Sequence, residues 1–424
     1  MKMNCLGHSR RHFLGRSLPL AAGLPLAWPW FPAAGAVETA IKPGPSPALA
    51  QARVAIISCR GYGAEVRRAM KEAFDLLGGI GSLVRNKTVT VKINLTGTSS
   101  QPFLGRPAGE TWMTHFSTAL ALGGLLAESG AGRIRFVEST QSRENLESTL
   151  VEAGWDVNAL RALGRIEFEN TRNLGRGKSY SKLRVPGGGR FFSAFHLNHA
   201  YEETDVMVSL CKLKQHLTTG VTLSMKNLFG ITPNSIYGDE AGSEEATGGR
   251  GPLHEPGSPL DPKAYAHIQL PDTKQKQTEQ PADAGLRVPR IITDLCAARP
   301  IHLAVIDGIT SLAGGEGWWC GEAGELSVVS PGVIIAGLNP VATDAVGTAV
   351  MGFSNPRAGR GEPPFGQCEN HLLLAEQAGL GPADLQKIDL RGLALEKAIH
   401  PFRKPGSDKT APQPARSPIK AEPE

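Results

Sequence analysis

From Arg53 onward the sequence alternates short apolar runs with longer amphipathic ones, and this restricts the chain to few folds. Residues 54–58, 88–93, 133–137, 205–210 and 301–306 read as strands. Between the early runs, 64–77, 111–129 and 143–153 carry helical periodicity; in the first, positions 66, 69, 70, 73, 74 and 77 are apolar. Strand–helix alternation is the pattern of a parallel sheet with helices on its faces. The predicted class is α/β: a mostly parallel sheet flanked by helices, with a long irregular loop insertion.

The middle of the chain is less regular. Pro186-Gly187-Gly188-Gly189 between two short apolar runs predicts a hairpin. Residues 217–228 read as a helix ending at Gly230. Residues 238–290 are rich in Gly, Pro, Glu and Gln, with little periodicity beyond a short helical stretch near 265–270, and predict a loop or lid insertion. One or two strands follow in 326–336. Asn339-Pro340 then opens a helix with an N-cap residue and a first-turn proline. A last helix is expected near 371–378. One domain over residues 53–400 follows from this, with a Pro-, Lys- and Ser-rich disordered tail at 401–424.

The first 36 residues do not belong to that pattern. Ser9-Arg10-Arg11-His12-Phe13-Leu14 resembles a twin-arginine signal, an apolar stretch at 18–27 follows, and Ala34-Gly35-Ala36 has the small residues of a cleavage site. The apolar stretch is too short for a stable membrane span. Residues 1–36 therefore read as a twin-arginine signal peptide and 37–52 as a linker. That implies the twin-arginine export machinery as a partner, an exported, periplasmic or extracytoplasmic location, and no stable membrane span after cleavage. Charge supports this division. The chain carries +5, of which residues 1–36 carry +4, leaving +1 for the rest. A nearly neutral mature chain has no field for holding nucleic acid. The six cysteines, at 5, 59, 211, 296, 320 and 368, form no C-x-x-C, which argues against an iron–sulfur cluster.

Polar residues gather just after the predicted strands: Lys92 and Asn94, Glu138, Lys212 and Lys214, and Asp307. In an open parallel sheet the ligand crevice lies outside the carboxyl ends of the strands, so these side chains converge on one edge. Clustered lysines suit a small anionic ligand, a carboxylate or phosphate. Carboxylates with a histidine suit a divalent metal such as Mg²⁺, Mn²⁺ or Zn²⁺. Lys92 and Lys214 are expected to face an open site. Lys226 and Asn227 also fit as caps at a helix end. On a continuous helix His216 and Asn227 would lie about 16 Å apart along the axis, so both meet one small ligand only if the helix breaks at Gly220 or lies along the ligand.

Four segments resemble the family catalogued as domain of unknown function 362. The central one runs from Asp205 through Lys212, Lys214 and His216 to Met225-Lys226-Asn227-Leu228-Phe229-Gly230. Val91-Lys92-Ile93-Asn94, with Ile93 where the family has proline, is the second. Val305-Ile306-Asp307-Gly308 with Gly315-Glu316-Gly317 is the third, here followed by Trp318-Trp319-Cys320. Gly337-Leu338-Asn339-Pro340 through Asp344 is the fourth. The resemblance implies positions without a reaction. With residue chemistry added, it implies Lys214, His216 and Asp307 as catalytic, Lys92, Asn94, Lys226 and Asn227 as ligand-binding, and Glu316 and Asp344 as metal ligands. The expected function is an exported enzyme acting on an anionic small molecule; the alternatives are a binding protein for such a ligand and a structural or assembly factor.

Overall fold

The computed structural model describes residues 52–97, 99–254, 283–320 and 326–402. The expected leader, nearly all of the linker, residues 255–282 of the insertion and the tail from 403 lie outside the described residues.

The eight strands of the main sheet are β1 (Ala52–Ser58), β2 (Thr88–Lys92), β3 (Arg133–Glu138), β4 (Ile166–Asn170), β5 (Val206–Lys212), β6 (Leu303–Gly308), β7 (Val333–Gly337) and β8 (Ile388–Gly392). Their order is β8-β1-β7-β6-β5-β2-β3-β4. Only β7 runs against its neighbours β1 and β6; every other pairing is parallel. The mostly parallel α/β sheet is thus as predicted.

Alternate residues of each strand go to opposite faces, and both faces are covered. Val54, Ile56, Met207, Ala304, Ile306 and Ile335 meet the helices Ala284–Ala298 and Pro340–Val350. Ala55, Ile57, Val89, Val91, Val208, Val305 and Ile334 meet Glu65–Leu76 and Phe116–Glu128. This two-sided burial is why the central strands β5, β6 and β7 are predominantly apolar. The cysteines at 59, 211, 296, 320 and 368 are free thiols. No helix of the described residues is long and apolar enough to cross a membrane.

Several boundaries differ from expectation. The helix expected at 111–129 begins at Phe116, with the His115 ring accepting from Ser117 N. The preceding residues are used in cross-links instead: Thr114 N donates to Asn94 O at 2.9 Å and Thr114 Oγ1 to Leu210 O at 3.2 Å. The helix expected at 217–228 is absent. Lys214–His216 and Gly220–Thr222 form an antiparallel hairpin, and only Ser224–Asn227 is α-helical, followed by a 3-10 turn to Ile231. Gly220 sits at φ +75°, and a Cβ there would lie 2.6 Å from Pro364 O, so this corner requires glycine. The β-branched Thr219, Val221 and Thr222 around it favour the strand. The loop insertion also ends earlier than 290, because Ala284 already opens a helix capped by Asp283, which accepts from Gly285 N at 2.7 Å.

Candidate functional site

Register brings the strand-end residues to one edge. Lys92 of β2 lies opposite Ser209 of β5, and Lys212 of β5 opposite Asp307 of β6. Two buried ion pairs result. Lys92 Nζ is 2.6 Å from Glu138 Oε1 at the end of β3, with both side chains almost completely buried. Lys212 Nζ is 3.0 Å from Asp307 Oδ2, and also donates to Tyr62 Oη at 2.6 Å and Gly109 O at 2.7 Å.

The expected roles of Lys92, Asn94 and Asn227 change accordingly. Lys92 does not face an open site: besides Glu138 it donates to Ile93 O at 2.6 Å and Asn227 Oδ1 at 3.3 Å. Asn227 Nδ2 donates to Lys92 O and Ser209 Oγ, which fixes its amide, and its Oδ1 accepts from Asn94 Nδ2 at 3.1 Å. The orientation of Asn94 follows, and it leaves Asn94 Oδ1 buried without a partner. These three residues form one buried hydrogen-bonded cluster at the carboxyl end of β2. Asp307 is equally committed, to Lys212, Tyr62 and Ile309 N, and makes no contact with Lys214 or His216.

Lys214 is fully buried, and among the described residues no carboxylate lies within ion-pair distance of it. Its ammonium donates to Trp112 O at 2.6 Å and Glu316 O at 2.9 Å, tying together the loops after β2 and β6. Burial pulls Lys214 down to about 7, with Glu316 opposing and Lys226 reinforcing the shift. His216 Nδ1 accepts from Thr218 N at 3.1 Å, so the neutral ring carries its proton on Nε2. Burial holds this ring well below the ordinary histidine range; Glu316 opposes, and Lys226, His254 and Lys214 reinforce. Glu316 Oε2 lies 3.8 Å from His216 Nδ1, too far for a hydrogen bond, and accepts from Leu217 N at 3.0 Å instead. His216 is therefore placed as a donor through Nε2, not as a base held by Glu316.

Lys226 is half-buried, with its ammonium 4.5 Å from the centroid of the Phe229 ring. Among the described residues it forms no ion pair. Burial lowers it to about 8, with Glu316 opposing and the charges of Arg250 and Lys92 reinforcing. Lys226, expected as a ligand-binding residue with helix capping as the alternative, is thus a lysine without an ion-pair partner among the described residues. Two neighbours escape sequence reasoning. Arg250 donates to Thr232 O at 2.9 Å and Asn234 Oδ1 at 3.3 Å, with no carboxylate within ion-pair distance among the described residues. His254 hydrogen-bonds Arg250 O through Nδ1 at 2.9 Å and sets its ring edge-on to Phe229. Both lie in the aperiodic stretch after 238, where no spacing singles them out. Lys214 and Lys226 thus share one opposing carboxylate, Glu316, while Glu138 and Asp239 oppose the charge of Arg250 from beyond ion-pair distance.

A metal does not fit this donor set. Asp344 is buried with its oxygens accepting from Ser224 N at 2.9 Å, Ser224 Oγ at 2.5 Å and Met225 N at 2.8 Å, where it caps the short helix. It shares no contact with Glu316. Among the described residues no group of three or more His, Cys, Asp or Glu side chains could hold a metal ion.

The sequence matches the family model described as "Domain of unknown function (DUF362)" over residues 89–349, a span that includes every residue of the charge cluster. No curated protein matches it. Among solved structures, a structural-genomics crystal structure of a Thermotoga maritima protein matches with 12% identity and a TM-score of 0.34, over 65% of this chain and 55% of that one. The chain therefore spans about half the length of that protein, and a likeness of this degree assigns no residue a role.

Proposed function

Because this chain belongs to the family catalogued as domain of unknown function 362, whose name assigns no chemistry, the residues must supply it, and we propose that it binds a small anionic molecule, a carboxylate or phosphate, in the crevice at Lys226. The observation that carries this reading is the charge imbalance: Lys214 and Lys226 have no carboxylate within ion-pair distance among the described residues, Glu316 is the carboxylate that acts on both, and Arg250 adds a third cation whose opposing charges, Glu138 and Asp239, also lie beyond ion-pair distance. An anion seated between Lys226 Nζ and His216 Nε2 supplies the missing counter-charge.

The pH dependence of binding tests it. Lys226 must be charged to attract the anion, and burial has lowered it to about 8. A dicarboxylate stays fully ionised from pH 7 to 10, so a change in its affinity over that range comes from the protein. Affinity should hold up to about pH 8 and then fall by up to tenfold per pH unit. Without ligand the sign reverses. The unfolded lysine holds its proton to about 10.4, so stability rises with pH between about 8 and 10. A flat binding profile from pH 7 to 10 would remove Lys226 from the site.

A second reading, in which the bound anion is also transformed, is favoured by Lys214. An amine lowered to about 7 is poised for proton transfer near neutral pH. Product formation from a bound carboxylate or phosphate ester, lost in Lys214→Met while binding persists, would separate catalysis from binding.

Export through the twin-arginine machinery forms part of the same proposal, supported by Arg10-Arg11 and the apolar stretch and small residues that follow. Changing both arginines to lysine should retain the precursor in the cytoplasm. Exported parent protein should begin near Val37 by mass spectrometry. Unchanged export of the double-lysine variant would overturn the twin-arginine assignment.

A further inference from the structure

An open cavity of about 360 Å³ lies at the carboxyl end of β4, the outermost strand on that side of the sheet. Three arginines line it: Arg143 from the loop after β3, and Arg172 and Arg176 from the loop after β4. Its walls are fixed by hydrogen bonds. Asn170, the last residue of β4, donates through Nδ2 to Thr140 Oγ1 at 2.7 Å and Glu144 O at 3.0 Å, and accepts through Oδ1 from Thr140 N and Arg172 N at 3.2 Å each. Arg172 is pinned by Glu244 O at 2.7 Å and Ala246 O at 3.1 Å.

Most of the lining carboxylates are already engaged. Glu147 pairs with Arg161, and Glu169 pairs with His199 Nε2 at 2.8 Å while accepting from Arg176 N at 3.2 Å. Arg176 reaches only a carbonyl, Phe168 O at 3.4 Å. Among the described residues neither Arg143 nor Arg176 has an ion-pair partner, and the remaining carboxylate of the lining is the exposed Glu144. Two solvent-exposed guanidiniums without an ion pair among the described residues, at the mouth of a hydrogen-bonded cavity, suit recognition of a planar or tetrahedral oxyanion. The volume falls in the range of small-molecule sites.

We propose that this cavity is a second anion-binding site, independent of the one at Lys226, which takes a carboxylate or phosphate group of a small molecule between Arg143 and Arg176. Calorimetric titration of the full chain with inorganic phosphate, and separately with a dicarboxylate, tests it. The parent should bind two equivalents of at least one probe, Lys226→Met one, and Arg143→Ala/Arg176→Ala also one, with Lys226 serving the site that remains. Arg143→Lys/Arg176→Lys keeps the charge but loses the fork, and should bind at least tenfold more weakly at this site. Glu144→Gln should tighten it. The proposal is overturned if Lys226→Met abolishes all binding of both probes, if the double alanine variant binds as the parent does, if the lysine pair binds as well as arginine, or if the parent binds neither probe.

Discussion

Replacing Lys226 with methionine should remove the stabilisation of the protein by phosphate or a dicarboxylate, while leaving the unliganded fold as stable as the parent or more stable by about 1 kcal/mol. Methionine keeps an apolar stem against Phe229 and deletes a charge that has no carboxylate partner among the described residues. At a ligand concentration one hundred times its Kd, the parent should gain about 2.7 kcal/mol from binding, and the variant nothing at this site. Thermal unfolding with and without ligand measures both. Lys214→Met makes the contrast. It strips the donor from two carbonyls, Trp112 O and Glu316 O, and should cost about 1–3 kcal/mol with or without ligand. If Lys226→Met destabilises the unliganded protein as much as Lys214→Met does, Lys226 is part of the scaffold and the proposed site loses its centre.

That contrast marks how far the sequence could be read. The sheet was legible because its strands are buried on both faces and so are rich in apolar and β-branched residues, as in Val89-Thr90-Val91 and Leu303–Ile306. The edge strand β8 was not, because Ile-Asp-Leu-Arg-Gly offers two apolar residues and a half-solvated pattern that resembles a loop. Among site residues the positions were legible but the partners were not. Lys92 and Lys214 end or follow strands, as expected, yet whether each meets a carboxylate, a carbonyl or open space depends on chain far away in sequence. Glu138 reaches Lys92 across two neighbouring strands, and Glu316 O reaches Lys214 from about a hundred residues on. Helical periodicity at 217–228 hid the break at Gly220. That break turns Lys226 and His216 out of the single helix on which they would have stood far apart.

The largest loss of stability is expected at the carboxyl ends of β2 and β3, from breaking the Lys92–Glu138 pair. Both side chains are almost completely excluded from water, and every oxygen of Glu138 is used: Oε1 accepts from Lys92 Nζ at 2.6 Å and Ser139 N at 2.9 Å, Oε2 from Leu95 N at 2.8 Å. Gly230 closes the site from above, since a Cβ there would lie 3.0 Å from Lys92 Nζ and 3.3 Å from Glu138 Oε1. No water can replace a lost partner without moving that turn. Lys92→Met leaves a buried carboxylate with two backbone donors, and Glu138→Gln leaves a buried ammonium with two neutral acceptors, Ile93 O and Asn227 Oδ1. Each single change should cost about 3–5 kcal/mol, the usual result of orphaning one member of a buried ion pair. The double variant has neither charge to orphan and should cost at least about 1 kcal/mol less than the sum of the two singles. Urea unfolding of the four proteins, read at equal m-value, measures this. Additive effects of under 1 kcal/mol each would mean that Lys92 and Glu138 are solvated and open, returning Lys92 to the ligand-facing role its place at the end of β2 suggested.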